Sequence, residues 1–266
     1  MKLSARPASI EDILPWRDLY RVEMNCQIIH DSLHTREGWT QSYLLLADDA
    51  VVGYGSVAVG GPWKGKPSIF EFYIGPESRC HVFDLFFTLL TVTGTTLVET
   101  QTNDPLLTVM LQALAPAITS RSILFHDKMT TAHAPPGAVV RRAKPGDAAQ
   151  ILSCQLDAEA NWVLALDGAI AGTGGVLYHY NHPYGDIYME IAEPFRRCGL
   201  GSYMVQELKR ICYSQGNVPA ARCNPTNIAS RKTLQKAGFV PCGTIVTGSL
   251  TNSIVAIDPA AIAPVG

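Results

Sequence analysis

Between two apolar runs the chain carries Arg196-Arg197-Cys198-Gly199-Leu200-Gly201-Ser202, two fixed cations and two glycines placed where a helical pattern begins. Such a segment suits an anion. The first amides of a helix have no internal partner, the helix dipole favours negative charge there, and glycine lets backbone approach a ligand without a Cβ. Arginine adds planar donors that match phosphate oxygens. A diphosphate is therefore the expected guest, and spacing limits what carries it. The dinucleotide pattern G-x-G-x-x-G fails because Met204 stands at the third glycine and no acidic residue closes a strand about 20 residues on. The nucleotide loop G-x-x-x-x-G-K-[ST] occurs nowhere in the chain.

The elements that hold this loop follow from periodicity. Residues 187–196 read as a strand running into a loop, and Leu200, Tyr203, Met204, Leu208, Ile211 and Cys212 form a 3.6-residue stripe ending near Gly216. A long helix must therefore lay one face on a sheet. Beyond it the pattern predicts a strand over 218–223, a helix over 227–237 stopped by Gly238, and strands over 241–246 and 253–257. Upstream, residues 162–178 read as a hairpin turning at Asp167-Gly168.

The first half shows the same parts in the same order. Residues 6–12 parallel 142–147 as a strand end and an acidic helix start, and residues 43–59 form a hairpin turning at Asp48-Asp49. Both hairpins share Ala-[Val/Ile]-[Val/Ala]-Gly-x-Gly, at Ala50 to Gly55 and Ala169 to Gly174. Residues 70–79 parallel 187–196, and weaker matches follow at 96–100, 105–113 and 123–128. The Pro/Gly break Thr131-Ala-His-Ala-Pro-Pro-Gly137 separates the halves. The expected organisation is two mixed α/β domains over 1–130 and 138–266, with 131–137 as linker.

The R-x-x-G-x-G run at Arg196 to Gly201 is joined, twenty-six residues on, by Asn227-Ile-Ala-Ser230 in a helix that ends at Gly238-Phe239. Together they resemble the two signatures of the GNAT superfamily of N-acetyltransferases. The resemblance covers about residues 139–257 by motif, and residues 3–130 by layout only. It implies a tandem protein of two GNAT-like domains, each a mostly antiparallel twisted sheet flanked by helices, the first degenerate. There the aligned loop is Arg79-Cys80-His81-Val82-Phe83-Asp84, without either glycine and with an aspartate facing the phosphate position.

The resemblance further implies acetyl-CoA as co-substrate and no metal. The diphosphate would be held by Arg196, Arg197, Cys198, Gly199, Leu200, Gly201 and Ser202, the pantetheine arm by Asn227 and Ser230, and the thioester carbonyl by the backbone of Ile191. The implied reaction is direct acetyl transfer to a primary amine of a small molecule or peptide, in a ternary complex. Glu190 is the candidate base, with Asp186 farther back on the same strand face. The tyrosine that the family uses as acid, four residues before Gly-Phe, is Leu234 here, and Tyr188 is the candidate in its place. A non-catalytic acyl-CoA binder is the competing reading.

Composition narrows the remaining classes. With 266 residues, 47% hydrophobic and 17% charged, the chain can bury a sizeable core, and main-state disorder is excluded. A net charge of −2 gives no field for nucleic acid or anionic lipid, so any anion site is local. The stretch 83–98 is too short and too interrupted to span a membrane. Seven cysteines without a C-x-x-C pair fit reduced thiols, and with no signal-peptide pattern the cytoplasm is the expected compartment. Partner number is left open.

Overall fold

Ser9 opens the first helix by a reciprocal cap: its Oγ accepts from Asp12 N at 3.2 Å, while Asp12 Oδ2 accepts from Ser9 N at 2.9 Å. It belongs to a computed structural model that describes residues 1–28 and 31–250. The described residues fall into two units, one of Met1–Arg121 with Thr244 to Leu250, the other of Ser122–Gly243. In the first lie β1 (Leu3–Ala8), α1 (Ile10–Met24), α2 (Asp31–His34), β2 (Thr40–Ala47), β3 (Ala50–Ala58), β4 (Ser68–Ile74), α3 (Val82–Thr93), β5 (Leu97–Gln101) and α4 (Pro105–Leu114). Strand β6 (Ile118–Asp127) divides after Arg121. The second unit continues with β7 (Ala138–Arg142), α5 (Ala148–Ser153), β8 (Trp162–Leu166), β9 (Ala169–Leu177), β10 (Tyr184–Ile191), α6 (Leu200–Ser214), β11 (Val218–Cys223) and α7 (Ile228–Lys236). Strand β12 (Phe239–Ser249) divides after Gly243.

Both hairpin turns form where the sequence places them. Asp48-Asp49 (φ 45° and 68°) and Asp167-Gly168 (φ 49° and 87°) are left-handed at both central positions, the twist that a two-residue loop between antiparallel strands needs. In the first unit β1, β2, β3 and β4 pair antiparallel in succession, β5 lies parallel to β4, and the last part of β12 pairs antiparallel with β5. The second unit repeats this with β7, β8, β9 and β10 antiparallel, β11 parallel to β10, and β6 antiparallel to β11. Each unit is thus a mostly antiparallel sheet with helices packed on it.

The core of the second unit fixes the site. Leu200, Met204, Val205 and Leu208 of α6 are at most 2% exposed and pack against Ile187 and Ile191 of β10, Ala221 of β11, Leu234 of α7 and Ala237 just beyond it. A Leu208→Ala change there costs about 2–5 kcal/mol. The segment 131–137, read from sequence as a linker, runs inside this unit. Gln206, 2% exposed, holds it by accepting from Thr131 Oγ1 at 2.9 Å and His133 N at 2.7 Å, and by donating to His133 O at 3.0 Å. Single strand β12 covers 241–246, and the strand expected over 253–257 lies outside the described residues.

Candidate functional site

In the second unit β10 and β11 begin as neighbours and then part. Their parallel register runs from Tyr184↔Val218 to Asp186↔Ala220, while β10 continues to Ile191 and β11 to Cys223. A wedge opens between them. Ala192 N donates to Ala171 O at 2.9 Å on the β9 side, so the alternation of strand amides turns Ile191 N–H toward the wedge. The chain leaves β10 through the short 3-10 turn Glu193–Phe195 and returns into α6.

The loop between them is built for negative charge. Arg196 Nε donates to Ile191 O at 2.9 Å, which ties the loop to the end of the strand. Arg197 (φ 66°) and Gly199 (φ 80°) are both left-handed, and Gly199 is the N-cap of α6, so successive amides turn toward one concavity with the helix dipole behind it. Leu200 is buried in the core and Ser202 Oγ is spent on Thr233 O at 3.3 Å, so at these positions only backbone amides are left open. Cys198 is exposed, with its thiol 3.5 Å from Arg196 O.

The two glycines answer different needs. A Cβ at Gly199 would meet only Lys236 Nζ at 3.7 Å, so there the positive φ is the constraint. At Gly201 a Cβ would meet Thr233 Cγ2 at 3.2 Å and Met189 Cε at 3.4 Å. That glycine lets α7 and β10 close on α6. Lys236 brings an ammonium over the loop from the far end of α7, and sequence reasoning missed it; its i+3 spacing from Thr233, on the face toward α6, was the available signal. Asn227 caps α7 by accepting from Ser230 N at 3.0 Å, which leaves its amide NH2.

On the opposite sheet face, Asp186, Tyr188 and Glu190 alternate with Ile187, Met189 and Ile191, which pack toward α6. The strand register sets Thr173 opposite Glu190 and Gly175 opposite Tyr188. A Cβ at Gly175 would fall 3.0 Å from the Tyr188 hydroxyl, so the glycine makes room for the half-buried ring. Burial pushes the Tyr188 hydroxyl above the ordinary phenol range, and the charges of Asp157 and Glu159 push it further. Glu190 is exposed. Asp186 is 5% exposed and stands beside His179 Nε2 at 3.3 Å and Arg222 Nε at 3.8 Å. Leu234 is 5% exposed within the core against α6 and offers no hydroxyl. Among the described residues there is no group of His, Cys, Asp and Glu suited to a metal ion, and no helix long and apolar enough to cross a membrane.

Residues 128–239 match the acetyltransferase (GNAT) family. No curated protein sequence matches the chain. Among solved structures, an acetyltransferase of the GNAT family from Colwellia psychrerythraea superposes with a TM-score of 0.70 at 14% identity, over 94% of this chain and 100% of that one. A tandem GNAT protein from the clavulanic acid biosynthesis pathway gives 0.58 at 13% identity, over 93% and 98% of the two chains. A GCN5-related N-acetyltransferase from Sphaerobacter thermophilus gives 0.56 at 15% identity, over 93% and 95%. At such identities the likeness is one of fold, and it spans both units.

Proposed function

From the match of residues 128–239 to the acetyltransferase (GNAT) family, we propose that the second unit transfers acetyl from acetyl-CoA to a primary amine by direct attack in a ternary complex. One observation carries the reading: the wedge between β10 and β11 ends at a loop whose left-handed Arg197 and Gly199 aim free amides at a single anion position. The diphosphate binds there, helped by Arg197 and Lys236, while Arg196 holds the loop to the strand. Asn227 offers its NH2 to the pantetheine amides.

Acetyl-CoA supplies an acyl carbon already activated as a thioester. The chain must orient it, remove a proton from the amine and stabilise the developing oxyanion. Ile191 N–H, turned into the wedge, is the donor to the carbonyl oxygen. Glu190 takes the proton of the attacking amine, directly or through water, as the N–C bond forms and the C–S bond breaks. Tyr188, kept protonated by its raised pKa, donates to the departing thiolate. Release of free thiol from acetyl-CoA across a panel of amines tests the reading, with Glu190→Gln expected to lower kcat about 100-fold and leave acetyl-CoA binding intact.

A second reading, an acyl-CoA binder without turnover, is favoured by one observation, the burial of Leu234 where the family's acid would stand. Tight CoA binding with no thiol release on any amine supports it.

A further inference from the structure

The face of β10 opposite α6 carries more carboxylate than the transfer needs. Leu156 packs with Ile151, Val163, Ile170 and Ala192, and Ala160 is 4% exposed, so the loop from α5 to β8 is pinned on both sides of Asp157 and Glu159. Asp157 Oδ1 accepts from the backbone Glu159 N at 2.9 Å, which fixes the Asp157 carboxylate against the loop, and both side chains are exposed. Their charge reaches the Tyr188 hydroxyl. Among the described residues no Lys, Arg or His nitrogen lies within 4 Å of Asp157, Glu159 or Glu190, whereas Asp186 has His179 and Arg222 beside it. Three uncompensated carboxylates therefore gather on one face of a chain whose net charge is only −2.

An independent observation points to a ligand there. Thr173 is fully buried, shares this face through its register with Glu190, and its hydroxyl has no partner among the described residues. Orphaned buried polar atoms call for a missing donor. An ammonium supplies several donors and positive charge at once.

We propose, resting on the acetyltransferase reading above, that the acceptor is a small diamine: the reacting amine enters between Tyr188, Glu190 and Thr173, and the second ammonium is held by Asp157 and Glu159. The reacting nitrogen gives its proton to Glu190 and is acetylated. The distal one stays charged.

Three amines of equal chain length isolate the charge: 1,4-diaminobutane, butylamine and 4-aminobutanoate. The expected kcat/KM falls in that order, by about tenfold per step, mainly through KM. The double variant Asp157→Asn, Glu159→Gln lies on an exposed loop, and it should bring the diamine-to-butylamine ratio close to one while the Kd for acetyl-CoA stays as in the wild type. Calorimetry of 1,4-diaminobutane added to CoA-saturated protein reads the same preference without turnover. Equal kcat/KM or equal heats for diamine and butylamine, a preference for 4-aminobutanoate, or a ratio unmoved by the double variant overturns the acceptor class. Absence of heat with CoA itself instead overturns the underlying function.

Discussion

Two arginines at equivalent places in the two units make the same bond and lead to opposite outcomes. Arg79 Nε donates to Ile74 O at 3.0 Å, and Arg196 Nε donates to Ile191 O at 2.9 Å. After that clamp the first unit continues through the 3-10 turn Pro76–His81 into α3 without a left-handed residue, and Arg79 also pairs with Glu23 at 2.6 Å. The second unit turns left-handed at Arg197 and Gly199 and leaves its amides open. The leading arginine of the motif is therefore a fold residue. On the proposed reading, anion binding falls to the residues that follow it.

The wedges differ in the same way. In the first unit β4 and β5 part after Ile69↔Val98, and the chain fills the gap with its own backbone. Gln101 Nε2 donates to Ile28 O at 2.6 Å, and Gln101 Oε1 accepts from Ile28 N at 3.3 Å. A cavity of about 20 Å³ is left between Tyr20, Ile28, Phe70 and Gln101, room for one water. Beside it Glu71, 1% exposed, is bound by Arg17, His34 and Tyr54. Where the second unit leaves its wedge open, the first already holds an amide of its own.

Mutations can break this contrast from either side, and the largest effect belongs to the closed unit. Arg17 meets Glu71 through two bonds of 2.9 and 3.0 Å, and Arg17→Ala strands a buried carboxylate, a loss of about 3–5 kcal/mol in denaturant unfolding. A loss below about 1 kcal/mol shows that the cluster does not hold the unit closed.

A second effect is a pH dependence at Asp104. Burial raises its carboxyl from 3.8 to about 6, against the opposing pull of the bonds from Tyr20 and Leu107. The folded state then keeps a proton that the unfolded state releases between those values, so this group's contribution to stability falls as pH rises through the window and is most favourable below it. The difference in stability between pH 4 and pH 7 should shrink in Asp104→Asn by about 2–3 kcal/mol relative to the wild type. An unchanged difference removes the assignment.

The open unit yields smaller numbers and a sharper contrast. Arg197→Glu should weaken CoA about 10- to 100-fold by calorimetry, with little change in unfolding. Arg79→Glu should do the reverse and lower stability without touching CoA affinity. Lys236→Ala should weaken CoA about threefold, as for an exposed charge that acts at the edge of a site.

Local chemistry was legible in the sequence, and long-range pairing was not. Asp167-Gly168, the stripe from Leu200 to Cys212, and the helix that begins after Asn227 each depend on near neighbours and are found in place. Sequence could not show that Thr131 and His133 would bond to Gln206, more than seventy residues away, so a Pro/Gly break that looks like a linker is part of the second unit. Gly201 was read as room for a ligand, but its Cβ position faces Thr233 and Met189 and serves helix packing. Lys236, Thr173 and the Asp157–Glu159 pair carried no motif, since the roles proposed for them arise only when α7, β9 and the loop after α5 are brought to β10.

The most direct test is calorimetric titration of the full chain with CoA, repeated on Arg197→Glu. The account predicts one CoA per chain and a severalfold to hundredfold weaker affinity in the variant. Two equivalent sites, no binding, or an affinity indifferent to Arg197→Glu would contradict it.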